Sequence, residues 1–199
     1  MEKNTIIIAV VVLIIGLGIG YSLKGNVEQS EQNLPTGMHQ MPGGSMMGQN
    51  IDQHFIVQMI PHHEGAIAMA KVALERSKRP EIISLARGII GAQQKEREDM
   101  QSWYESWFGS TPPEGGVGMM HMDGMTGDMD DLETVSATEF DREFLEQMIP
   151  HHEMAIMMAQ MLASGTERPE MKQLADNIMT SQAREIEMMR SWLKSWYGN

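Results

Sequence analysis

The chain has 199 residues and a formal net charge of −12 at pH 7, a length that suits one compact domain with an appendage. That acidity excludes nucleic acid as a partner, which wants a basic surface, and favours attraction of cations. With no cysteine, disulfides, thiolate metal ligands and a thiol nucleophile are excluded too. The anomaly is 22 methionines beside seven histidines. Methionine serves cores as flexible filler, but packing does not account for methionines in glycine-rich stretches.

Residues 5–23, TIIIAVVVLIIGLGIGYSL, carry no charge. As a helix they would extend roughly 29 Å, about the thickness of a hydrocarbon core. No A-x-A-like cleavage site follows, which favours an uncleaved anchor over a signal peptide. Residues 1–24 are therefore predicted to be a single-pass anchor in a bacterial cytoplasmic membrane. The rest of the chain would lie on the periplasmic or extracellular side, although Lys3 and Lys24 bias the orientation only slightly. Residues 25–51 follow as a flexible linker containing GMHQMPGGSMMG.

Residues 55–109 align without a gap onto residues 144–198, with about half the positions identical. QMIPHHEGAIAMA at 58–70 returns as QMIPHHEMAIMMA at 147–159. Each copy, residues 52–109 and 136–199, reads as a helical hairpin. Phe55, Met59, His62, Ala66, Met69 and Ala73 follow the spacing of one helix face, with Ile56, Ile60, His63 and Ile67 beside it. The second helices are predicted from Pro80 to about Phe108 and from Pro169 to about Tyr197. Leu85, Ile89, Gln93, Glu96 and Met100 form an inward line, matched by Leu174, Ile178, Gln182, Glu185 and Met189.

Ser136 with Glu139 predicts a capping box, and Gly165 a helix stop. Pro61 and Pro150 predict a kink or a break immediately before each histidine pair. The pairs Trp103–Trp107 and Trp192–Trp196 are expected to plug an end of the bundle, ahead of a place at a membrane surface or over a cation. Residues 110–135 form a second Met/His-rich loop. The fold class is all-α: a four-helix bundle of two duplicated hairpins, preceded by the membrane helix.

Met59, His62 and Met69 share one helical face, as do Met148, His151 and Met158. His63 and His152 turn about 100° from them. Imidazole and thioether together are a ligand set for copper, thioether favouring Cu(I), and Ag(I) is similarly soft. The loops repeat that chemistry in Met38, His39, Met41, Met46 and Met47, and in Met119, Met120, His121, Met122 and Met125. The competing reading is a core of methionines with internally satisfied histidines, and linkers of drifting composition. A carboxylate di-iron site wants Glu-x-x-His motifs, which are absent. Nothing signals haem or an organic cofactor.

FIVQMIPHHEGAIAMAKVAL and FLEQMIPHHEMAIMMAQML resemble the signature of the bacterial family known as domain of unknown function 305. The resemblance covers both hairpins and implies a ferritin-like four-helix bundle, usually exported, in a family that includes a periplasmic copper-binding protein. It also implies metal ligation by Met59, His62, His63, Met69, Met148, His151, His152 and Met158. The expected function is thus membrane-anchored, extracytoplasmic, non-enzymatic binding of Cu(I), with Ag(I) as a second ion, in copper tolerance or trafficking. A copper-handling protein would be its partner. The alternatives are a metal-dependent redox enzyme of the ferritin-like type and a metal-free helical module that binds a protein through its methionines.

Overall fold

A computed structural model describes residues 43–113 and 129–198. Its elements are α1 (Gly43–Arg76), α2 (Pro80–Phe108), the short α3 (Met129–Thr134), α4 (Phe140–Gly165) and α5 (Pro169–Tyr197), with no strand among the described residues. The anchor expected over residues 5–23 lies outside them. Among the described residues no helix is long and apolar enough to cross a membrane.

Helix ends follow local chemistry. Pro80 and Pro169 open α2 and α5, where a missing amide hydrogen costs nothing. Both helices stop at glycines in the left-handed conformation, Gly109 (φ 71°) and Gly198 (φ 77°), a region that side chains with a Cβ avoid. Gly165 does end α4, but its φ is not positive. The constraint there is steric, because a Cβ would meet Ile51 Cδ1 at 2.6 Å. The expected capping box does not form. Ser136 Oγ pairs with Thr138 Oγ1 at 2.9 Å, and Glu139 takes the N-cap position without a side-chain cap. The turn preceding α4 sets the start of the helix beyond the reach of Ser136.

Helices α1 and α4 continue past Pro61 and Pro150 without a break. Each proline leaves the carbonyl four residues earlier, at Val57 and Glu146, without its helical donor. Helix α1 begins at Gly43, so its first turns include Met46 and Met47.

Packing sorts the core into two apolar clusters, and every long helix contributes to both. One cluster holds Phe55 and Met59 of α1, Met100 of α2, Met158 and Leu162 of α4, and Leu174 and Ile178 of α5. The other holds Met69 and Ala73, then Leu85 and Ile89, then Phe144 and Met148, then Ile186 and Met189. The N-terminal half of α1 therefore meets the C-terminal half of α4, so these helices are antiparallel, as are the partners in each hairpin. The connection from α2 to α4 must travel the length of the bundle, a long crossover known in four-helix bundles. Burying these apolar side chains drives assembly at about 25 cal/mol per Å².

The two hairpins lock reciprocally. Arg79 of the first copy pairs with Asp141 at 3.1 Å and lies over Trp196 at 4.2 Å. Arg168, its equivalent, pairs with Asp52 at 3.2 Å and lies over Trp107 at 3.9 Å. The tryptophans stack in pairs, Trp103 on Trp107 at 5.7 Å and Trp192 on Trp196 at 5.4 Å. One pair packs against each cluster. A tryptophan pair thus packs on each cluster, and each pair also holds an arginine over an indole face.

The Asp52 side chain is 2% exposed, and burial raises its pKa above the ordinary carboxylate value. Arg168→Ala leaves that carboxylate with Thr166 but without its counter-charge, and removes the cation from Trp107. Urea denaturation should show a loss of about 3 kcal/mol. A loss below about 1 kcal/mol would class the clamp with ordinary surface ion pairs.

Candidate metal centre

A polar belt separates the two apolar clusters. In α1 the changeover falls at His62 and His63, in α4 at His151 and His152, in α2 at Gln93 and in α5 at Gln182. All six are buried; exposures are 0% for His62, His63 and His152, and 3% for His151, Gln93 and Gln182. Both histidines of each pair therefore face the interior, in different directions.

His62 meets its equivalent across the bundle. The rings of His62 and His151 lie 3.8 Å apart at their centroids, tilted by 41°. Neither ring nitrogen of His62 has a hydrogen-bond partner. Burial lowers its pKa from 6.5 to about 2, and the neighbouring charges of His151, His63 and His152 push the same way. A second positive charge that close, in a dry interior, is strongly disfavoured. The ring therefore stays neutral, with a lone pair available to a metal without proton competition.

His63 and His152 turn within their own hairpins. His63 Nε2 lies 2.7 Å from Glu96 Oε2, and His152 Nε2 lies 2.7 Å from Glu185 Oε2. The carboxylates are 16% and 19% exposed. The Nδ1 atoms of His63 and His152 are buried and unpartnered, as are the Oε1 atoms of Gln93 and Gln182. Such orphaned polar atoms are uncommon in a native interior.

The thioethers expected from sequence flank this belt, but each pairs with the other copy. Met59 shares a cluster with Met158, and Met69 shares one with Met148. The lines Met59–His62–Met69 and Met148–His151–Met158 thus straddle the belt. Met100 and Met189, read as inward from their spacing but not as ligands, are fully buried in the same clusters. Sequence reasoning placed Glu96 and Glu185 on the inward lines of the second helices without giving them a role. The signal lay in the spacing: thirty-three residues separate histidine and glutamate in both copies. Met38, His39, Met41, Met119, Met120, His121 and Met122 lie outside the described residues.

Among the described residues, no three His, Asp or Glu side chains converge on one point. Hard oxygen donors therefore do not build a site by themselves. The neutral His62 ring, buried between thioethers with both nitrogens unpartnered, suits a soft monovalent cation.

The family described as "Domain of unknown function (DUF305)" matches residues 52–198. The chain belongs to the DUF305 family. Among solved structures it is similar to CopM in the Cu(II)-bound form, with 47% identity and a TM-score of 0.68. That match covers 73% of this chain and 97% of CopM. The Cu(I)-bound form and the Ag-bound form obtained by soaking each match with 46% identity and a TM-score of 0.65, covering 73% of this chain and 97% and 96% of theirs. A DUF305 fragment from Deinococcus radiodurans is 29% identical with a TM-score of 0.62, covering 73% of this chain and 96% of the fragment. The uncharacterized protein L153 of Acanthamoeba polyphaga mimivirus is 47% identical over 53 residues, which span 27% of this chain and 35% of that protein.

Proposed function

We propose that this DUF305 chain is a membrane-tethered, extracytoplasmic binding protein for Cu(I) that also takes Ag(I), acting in copper tolerance or delivery. The observation that carries this reading is the belt of buried imidazoles, with unpartnered ring nitrogens on His62, His63 and His152 and thioethers on both sides. Similarity to a protein solved in Cu(I)-, Cu(II)- and Ag-bound forms supports it. A closed core also favours binding over catalysis. An ion can enter on a local opening of the helices, whereas an organic substrate has no open path to rings that are 0–3% exposed.

In this reading His62, His63, His151 and His152 are ligands, with Met59, Met69, Met148 and Met158 as the thioether partners. Met38, His39 and Met41, with Met119, Met120, His121 and Met122, capture ions or pass them to a copper-handling partner. Residues 5–23 hold the assembly at the membrane, with the bundle outside the cytoplasm.

An anaerobic Cu(I) titration against a chromophoric competitor tests the reading. The four-histidine variant His62→Ala, His63→Ala, His151→Ala, His152→Ala should lose the tightest site. Full retention of tight binding would move the chemistry to the loops. Failure of the unaltered chain to compete at all would overturn the copper function.

A further inference from the structure

Glu96 and Glu185 are held at matching positions in the two copies, and each is committed to one histidine. An ionised carboxylate accepts hydrogen bonds and donates none. At 2.7 Å from Glu96 Oε2 and Glu185 Oε2, the Nε2 atoms of His63 and His152 must therefore carry the hydrogen. Nδ1 of each ring is buried with no acceptor in reach, so a hydrogen there would be stranded, whereas at Nε2 it meets a carboxylate.

We infer that Glu96 and Glu185 are positioning residues, which fix the tautomers of His63 and His152 so that each presents an unprotonated Nδ1 to a soft monovalent cation in the core. This deepens the copper reading and rests on it. Histidines that bind metals commonly donate their second ring N–H to a carboxylate, which orients the ring and raises its basicity. The negative charge on the carboxylate also offsets the cation that would enter. A hydrogen bond retained for packing alone does not explain why the same nitrogen is left bare twice. His62 and His151 have each other as ring neighbours, so the carboxylate arrangement distinguishes the second histidine of each pair from the first.

The test uses the full-length, ¹⁵N-labelled chain in detergent, with Ag(I) as the probe because it is diamagnetic and its nuclei are spin-½. Long-range proton–nitrogen spectra of the metal-free protein should show the Nε2–H tautomer at His63 and His152. Ag(I) should then couple to their Nδ1 atoms. Glu96→Gln with Glu185→Gln preserves shape, and should mix the tautomers and weaken Ag(I) affinity 10–100-fold. Glu96→Ala with Glu185→Ala should do the same if folding is retained, which the backbone amide spectrum reports.

An Nδ1–H tautomer in the unaltered chain, or silver coupled to Nε2 of these rings, would overturn the inference. So would unchanged affinity in the Gln variant. Silver coupled to His62 and His151 alone would remove the inference while leaving the copper function intact. With the tautomers in place, an absence of Ag(I) binding would overturn the inference, and the Cu(I) titration would then decide the copper function separately.

Discussion

Lowering the pH of the metal-free protein from 7 to 5 is expected to cost about 2 kcal/mol of folding stability through His62 alone. Its pKa in the folded chain is lowered from 6.5 to about 2. The unfolded state therefore binds the proton first, and acid favours unfolding. The stabilisation is fully present above pH 6.5 and is lost as pH falls towards about 2. The full effect is about 6 kcal/mol, at about 1.4 kcal/mol per pH unit. Urea denaturation at stepped pH measures the slope. His62→Leu should flatten it and raise stability at pH 7 by about 1–3 kcal/mol, because a buried group without hydrogen bonds is replaced by an apolar one. A variant that is less stable than the parent at both pH values would show that the ring contributes more by packing on His151 than its desolvation costs.

Ag(I) at about a thousand times its dissociation constant should stabilise the fold by about 4 kcal/mol for each bundle site. In a domain of this size that corresponds to a rise in Tm of roughly 8–16 °C. Circular dichroism melts with and without Ag(I) measure it, and the four-histidine variant supplies the control. A small rise in the parent, equal to that of the variant, would place the binding in segments that do not couple to folding. Methionines of the unfolded chain that bind silver reduce the shift, so the difference between the two proteins is the quantity to compare.

The hairpins, the bundle and the two histidine pairs were legible because each is local. Periodicity places His62 and His63 on an inward sector, and gapless repetition gives the second pair for the same reason. Pro80 and Pro169 marked helix starts because the φ and missing donor of proline act within one turn. The partners were less legible because they come from other helices. A face can be read from spacing, but the contact between His63 and Glu96, or between Arg168 and Trp107, depends on how two faces are rotated against each other. The capping box at Ser136 failed for a related reason: the motif was present, but the turn before α4 shifted the helix start. At Pro61 and Pro150 the expected break gave way to a continuous helix, held by packing on either side.

His62 and His151 occupy equivalent positions and touch each other, as a residue on a two-fold axis touches its own copy. Arg79 and Arg168 reach across the same axis to equivalent partners. The chain is therefore arranged as an isologous dimer whose subunits share one polypeptide. A homodimer must carry every substitution twice, whereas a tethered one can keep a symmetric interior and give its two outer faces different properties. Gly65, Ala68 and Val72 of the first copy correspond to Met154, Met157 and Met161 of the second, of which Met157 and Met161 are 50% and 61% exposed. Gln101 and Glu105 correspond to Arg190 and Lys194. The second face thus presents exposed thioethers where the first presents small or aliphatic side chains, so the two outer faces differ while the paired imidazoles between them do not.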